Sequence, residues 1–191
     1  MISCSGRTGK MDTAAFYIVL FAHLVSLIVA FGSVVVIDVF GLLWVFRKHS
    51  LSYVFRIAGV TQKMIWIGWA GLVASGVPLL LMKAYVDNLT KLKIFLVLLV
   101  GLNGLFLDAV KRAGEKVPEG ARPPAVLIYH MGLTSAISQL GWWGTVVIGF
   151  IHHNIEHVVR WPKNPWLLMA AIAAFFLGLY LAGKFIFRKK K

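Results

Sequence analysis

Five long apolar stretches, at 14–46, 64–82, 92–107, 125–151 and 165–187, limit what this chain can become more than any other feature of it. A helix crosses a bilayer core of roughly 30 Å with about 20 apolar residues. Inside that core every backbone amide and carbonyl must be satisfied within the protein, which leaves only helices and closed barrels. The expected fold is therefore all-α: a polytopic bundle of five transmembrane helices. The first stretch exceeds a bilayer's thickness and has to tilt or project beyond it. It is also too long for the core of a signal peptide, roughly 7–15 residues, and no small-x-small site follows it. The third stretch is marginal, which places Lys91 or Lys93 in its first turn. The domain reading is an N-terminal extension at 1–13, a transmembrane domain at 14–187 and a basic tail at 188–191, with Met11 as an alternative start to Met1.

Charge then orients the bundle. Twenty Lys and Arg stand against seven Asp and Glu, a formal net charge of +13, and they lie between the stretches or at the chain ends. Basic residues so placed meet anionic lipid head groups. No basic face interleaved with exposed aromatics is present, which argues against a nucleic-acid partner. With 59% hydrophobic residues and a mean hydropathy of +0.80, the chain has more apolar surface than a water-facing fold hides. Arg47, Lys48, Arg56, Lys63, Lys111, Arg112, Lys116, Arg122 and the tail make one side the more basic. The positive-inside rule puts that side in the cytoplasm, with the N-terminus outside. Trp44, Tyr53, Trp66, Trp161 and Trp166 fall near segment ends, where amphipathic rings prefer the interface. The loop 109–124, rich in Pro, Gly and charge, is the clearest linker. The lone Cys4 excludes an internal disulfide framework.

Polar groups inside a membrane are costly and are functional candidates by default. His23 lies in the outer half of the first helix. It reads either as a histidine hydrogen-bonded between helices or as a haem or metal ligand, since neutral imidazole is the commonest ligating side chain. His153 and His157 are four apart and share a helical face. With His152 and Glu156 they form a set that suits copper or zinc, against the plainer reading of histidines at head-group level. One of His152 and His153 is also placed to be a second axial ligand to a haem held by His23. His130, Thr134 and Ser138 form a polar stripe at four-residue spacing, with Ser135 and Gln139 alongside, and such a stripe faces the bundle. Pairing His130 with His49 on the inner side would give a second haem and an electron path across the membrane. Asp38 needs a partner, either a basic residue or Asn103 of the third helix, and a proton-relay role is open to it. Gly141 and Gly144, beside Trp142 and Trp143, suit close helix packing.

The stretch His23 to Gly32, followed by an apolar run ending in Arg47 and Lys48, resembles the first helix of a bacterial membrane superfamily. That superfamily includes the small membrane protoporphyrinogen oxidase and the copper-resistance D proteins. The third-helix opening Lys91-Leu92-Lys93, leading to Gly101-Leu102-Asn103, is similar as well, and the resemblance covers about 14–112. It departs from the pattern at Phe31, where a tryptophan often precedes the glycine, and the fourth and fifth helices do not align. The resemblance implies a bacterial inner-membrane protein in which His23 and Lys93, with Lys91 as the competing choice, flank a haem or porphyrin. The expected function is that of a haem-b-type redox protein, passing electrons or oxidising a porphyrin-like substrate. Two alternatives stay open: a copper or other metal-ion transport or delivery protein, and a non-catalytic small subunit of a larger membrane complex, with a homo-oligomer also possible. The chain shows no glycine-rich nucleotide loop, paired catalytic carboxylates, Ser-His-acid pattern or zinc-protease helix, which sets hydrolases and kinases aside.

Overall fold

The structure is a computed structural model that describes residues 13–82, 85–118, 120–154 and 162–188. The fold is five helices in sequence, with no strand among the described residues: α1 (Thr13–Val45), α2 (Leu51–Leu81), α3 (Asn88–Gly114), α4 (Ala125–Asn154) and α5 (Pro165–Arg188). Four of them, α1, α2, α3 and α5, are long and apolar enough to cross a membrane. With α4 at 30 residues, length is not what separates it. Its interior carries Thr134, Ser135, Ser138, Gln139 and Thr145, and that polarity lowers its hydropathy. The surroundings explain the tolerance. α4 touches α1 through Phe31 and Trp143, α3 through Asn103 and Thr134, and α5 through Tyr129 and Leu179. A helix with neighbours on several sides presents less of itself to lipid.

Two helices run beyond their apolar stretches. α2 begins at Leu51, well before residue 64, because Ser50 caps it: the Ser50 hydroxyl accepts from the Tyr53 N–H at 3.3 Å. Val54 and Phe55 in its first turns are buried, and the Phe55 ring lies over Gly114 at the end of α3. α3 begins at Asn88, where the Asp87 carboxylate accepts from the Thr90 N–H at 2.6 Å. It continues to Gly114 through a charged last turn, in which Arg112 meets Asp108 at 2.8 Å. Hydropathy marks where a helix meets lipid, whereas capping and packing decide where it starts and stops.

Sequential helices are antiparallel. Ser75 meets His23, while Tyr53 meets Phe40. Trp69 donates to the Val97 carbonyl at 2.9 Å, and Asn103 donates to the Thr134 carbonyl at 2.8 Å. The starts of α1, α3 and α5 therefore share one end of the bundle with the finishes of α2 and α4. Two apolar clusters fill the interior. One joins Ala30, Val34, Leu72, Val100 and Trp142; the other joins Leu89, Leu92, Leu96, Ile148 and Met169. Outward, large apolar side chains such as Phe21, Ile28, Ile67, Leu102, Phe150 and Phe175 are exposed, as expected of surfaces that meet acyl chains.

Trp66 stands near the middle of α2, away from its ends. It packs edge-on to Trp69, and the two indoles lie against Gly104 and Gly101 of α3. A Cβ on Gly104 would come within 2.9 Å of the Trp66 ring, so these glycines make room for the indoles.

Candidate functional site

Small residues bring α1 and α2 together. A Cβ added to Gly68 would lie 2.7 Å from the Ala30 nitrogen and the Ser26 carbonyl oxygen, so the two backbones touch there. This is the small-residue packing that membrane helices use. Two turns along the same seam, His23 points its Nδ1 at the Ser75 hydroxyl, 2.9 Å away. The Ser75 hydroxyl donates its own hydrogen to the Gly71 carbonyl at 2.6 Å. One hydroxyl has one hydrogen, so toward His23 it accepts. In a neutral ring that arrangement suits a proton on Nδ1 and the lone pair on Nε2. An imidazole so held is the form in which histidine ligates a metal, with its second nitrogen anchored.

Lys93, in the second turn of α3, is close enough for its charge to act on the His23 ring. His152, in the last turn of α4, belongs to the same end of the bundle. Its Nε2 lies 3.7 Å from the Asp87 carboxylate, whose other oxygen caps α3. His153 stands on the last turn of α4, but its side chain, like Glu156 and His157, lies outside the described residues. The copper or zinc set rests mostly on those positions. Among the described residues no three His, Cys, Asp or Glu side chains gather in a way that could hold a metal ion.

The two inner histidines each sit among aromatic rings. His49 stacks on Tyr53, with centroids 5.0 Å apart, beside Phe40 of α1. His130 has the Tyr129 ring at 5.9 Å and the Tyr180 ring of α5 at 6.2 Å. The ring neighbours of each histidine belong to its own helix pair, α1–α2 for His49 and α4–α5 for His130.

Among the described residues no ion pair joins Asp38 to a base, and its partner is not Asn103. Gln139 of α4 donates to its carboxylate, while Asn103 turns to the Thr134 carbonyl. The stripe on α4 divides accordingly: Thr134 and Ser138 are buried, Gln139 serves Asp38, and Ser135 is exposed. Gly141 and Gly144 receive Val100 and Leu96 of α3, and Trp142 is buried in the core, whereas Trp143 is exposed. The Asn103 carbonyl oxygen and the Trp142 indole nitrogen are buried with no hydrogen-bond partner. Sequence reasoning missed Ser75, although a serine within an apolar helix at the register opposite His23 is a readable signal. Compared with known protein families, curated proteins and solved structures, the chain matches none.

Proposed function

We propose that this chain is an integral membrane protein of the haem-b redox class, passing electrons or oxidising a porphyrin-like substrate. The observation that carries the reading is His23 itself: an imidazole within an apolar helix, anchored through Nδ1 on a Ser75 hydroxyl that is already committed to the Gly71 carbonyl. The donor set fits the group. His23 would ligate the iron, and the nearby Lys93 ammonium would answer a haem propionate. Haem bound there would supply one-electron chemistry. The protein's part is to hold the imidazole at a fixed angle and tautomer, and to keep the site in apolar surroundings.

The same reading takes all five helices as spans, in a bacterial inner membrane, with the N-terminus outside and the tail in the cytoplasm. Its support is the heavier Lys and Arg count over residues 46–63 and 109–124 and on the tail. It makes His23, Lys93 and His152 neighbours of the outer face. A reporter fused to the tail is expected to be active only as a cytoplasmic fusion.

The deciding experiment is an absorption spectrum of the detergent-purified protein, before and after reconstitution with haem. A Soret band is expected, and His23→Ala and Lys93→Ala should each weaken haem retention while His49→Ala leaves it intact. A flat spectrum after reconstitution overturns the reading.

A further inference from the structure

A cavity lies at the opposite end of the bundle from His23. It occupies about 410 Å³ between the α1–α2 turn and the loop that follows α3. That is within the usual size of a small-molecule site, roughly 300–1,000 Å³. Arg47, Lys48 and His49 form one wall, and Val117, Pro118 and Pro123 face them. No acidic side chain lines it among the described residues. Glu115, at the end of α3, is drawn to Lys111 at 3.7 Å instead.

The cationic wall is held in place by the end of α1. The Arg47 N–H donates to the Trp44 carbonyl at 2.8 Å, and the Lys48 N–H donates to the Leu43 carbonyl at 2.8 Å. This crossed pair of bonds is the Schellman ending, which puts one residue in the left-handed region and favours glycine there. Here that residue is arginine, at φ 58°. Helix ending alone favours glycine there, so the arginine sits in a conformation that L side chains seldom adopt. His49 is braced as well, stacked on Tyr53 at an interplanar angle of 22°. The Arg47 main chain and the His49 ring are thus held in place, on the wall of a cavity with no acidic side chain among its described lining residues.

We infer that this cavity binds a phosphate-bearing anion of head-group size, with Arg47 and Lys48 as its principal ligands. Arg supplies a planar fork that matches phosphate oxygens, and Lys adds a point charge. A membrane phospholipid and a soluble phosphate both present this chemistry. Exposed Leu42 and Phe46 beside the cavity offer a surface along which acyl chains would run.

The test uses the full chain in a zwitterionic detergent, with bound anionic lipid counted by native mass spectrometry and thermal stability followed in parallel. The probes are phosphatidylglycerol, phosphatidylcholine and inorganic phosphate. Arg47→Gly is the informative variant, because glycine suits the left-handed position and the fold is kept or strengthened. Phosphatidylglycerol retention is expected to fall about tenfold in Arg47→Gly and further in Arg47→Gly/Lys48→Gln, roughly one charge-assisted contact each. Lys184→Gln, on α5 and away from the cavity, should bind as wild type does. Stabilisation by phosphatidylglycerol alone assigns the site to lipid; stabilisation by inorganic phosphate as well assigns it to the phosphate group whatever carries it. Equal retention in Arg47→Gly and wild type, equal loss in Lys184→Gln, or no preference for phosphatidylglycerol or phosphate over phosphatidylcholine would overturn the inference.

Discussion

The α1–α2 seam and the α3–α4 seam are both built around glycine, and they are built differently. Along α1–α2, small residues face one another, so that an atom added at Gly68 would strike the backbone of α1. Along α3–α4, glycine stands on one helix only, and Gly144 receives the tip of Leu96 from the other. The polar groups differ in the same way. The first seam holds an imidazole against a hydroxyl, His23 on Ser75, whereas the second holds a carboxamide against a backbone carbonyl, Asn103 on Thr134. Backbone contact makes the first seam rigid and keeps a titratable ring at a set angle. Side-chain packing makes the second seam a cohesive but adjustable core.

The sharpest way to break this contrast is Gly68→Leu. With Ala30 and Ser26 backbone in the way, the helices must separate, and a loss of about 3 kcal/mol is expected. Unfolding in mixed micelles of sodium dodecyl sulfate would measure it, and a loss near zero would show that α1 and α2 are not in backbone contact. Asn103→Leu comes next, at about 1 kcal/mol. It removes one bond to the Thr134 carbonyl and, with it, a buried carbonyl oxygen that has no partner, so the two effects oppose each other. Gly144→Ala should be milder still, about 0.5 kcal/mol, because the Leu96 methyl it meets at 2.9 Å can rotate aside. A cost equal to that of Gly68→Leu would erase the distinction between the two seams. The smallest effect on stability is expected from Ser75→Ala, within about 0.5 kcal/mol, since surrounding packing is kept. Its mark should be on the ligand: without the acceptor, His23 loses its preferred tautomer, and haem retention should fall toward that of His23→Ala. Unchanged retention would mean that Ser75 does not position the ring.

Much of this architecture was legible in the residues. The apolar stretches located every helix, since only a helix satisfies its own backbone in lipid. The extra length of α2 and α3 was not legible from hydropathy, because Ser50 and Asp87 act through capping, and Phe55 is buried only because Gly114 stands opposite. His23 stood out as a polar group in apolar sequence. Its tautomer could not be read, because that depends on where the Ser75 hydroxyl sends its hydrogen. Asn103 was a reasonable partner for Asp38 by composition, but α4 lies between α1 and α3 at that level and offers Gln139 first.

The order of residues by itself determined that this chain is helical, that four of its helices are apolar enough for a bilayer, and which few polar groups lie inside the helices. Those properties are local, set by hydrogen bonding within each helix and by transfer of side chains from water. Tertiary structure alone decided which polar groups meet: His23 with Ser75, Asp38 with Gln139, and Arg47 and Lys48 around a shared cavity. These depend on the register between helices, which is set by where glycine and small residues let backbones approach, and no single helix carries that information.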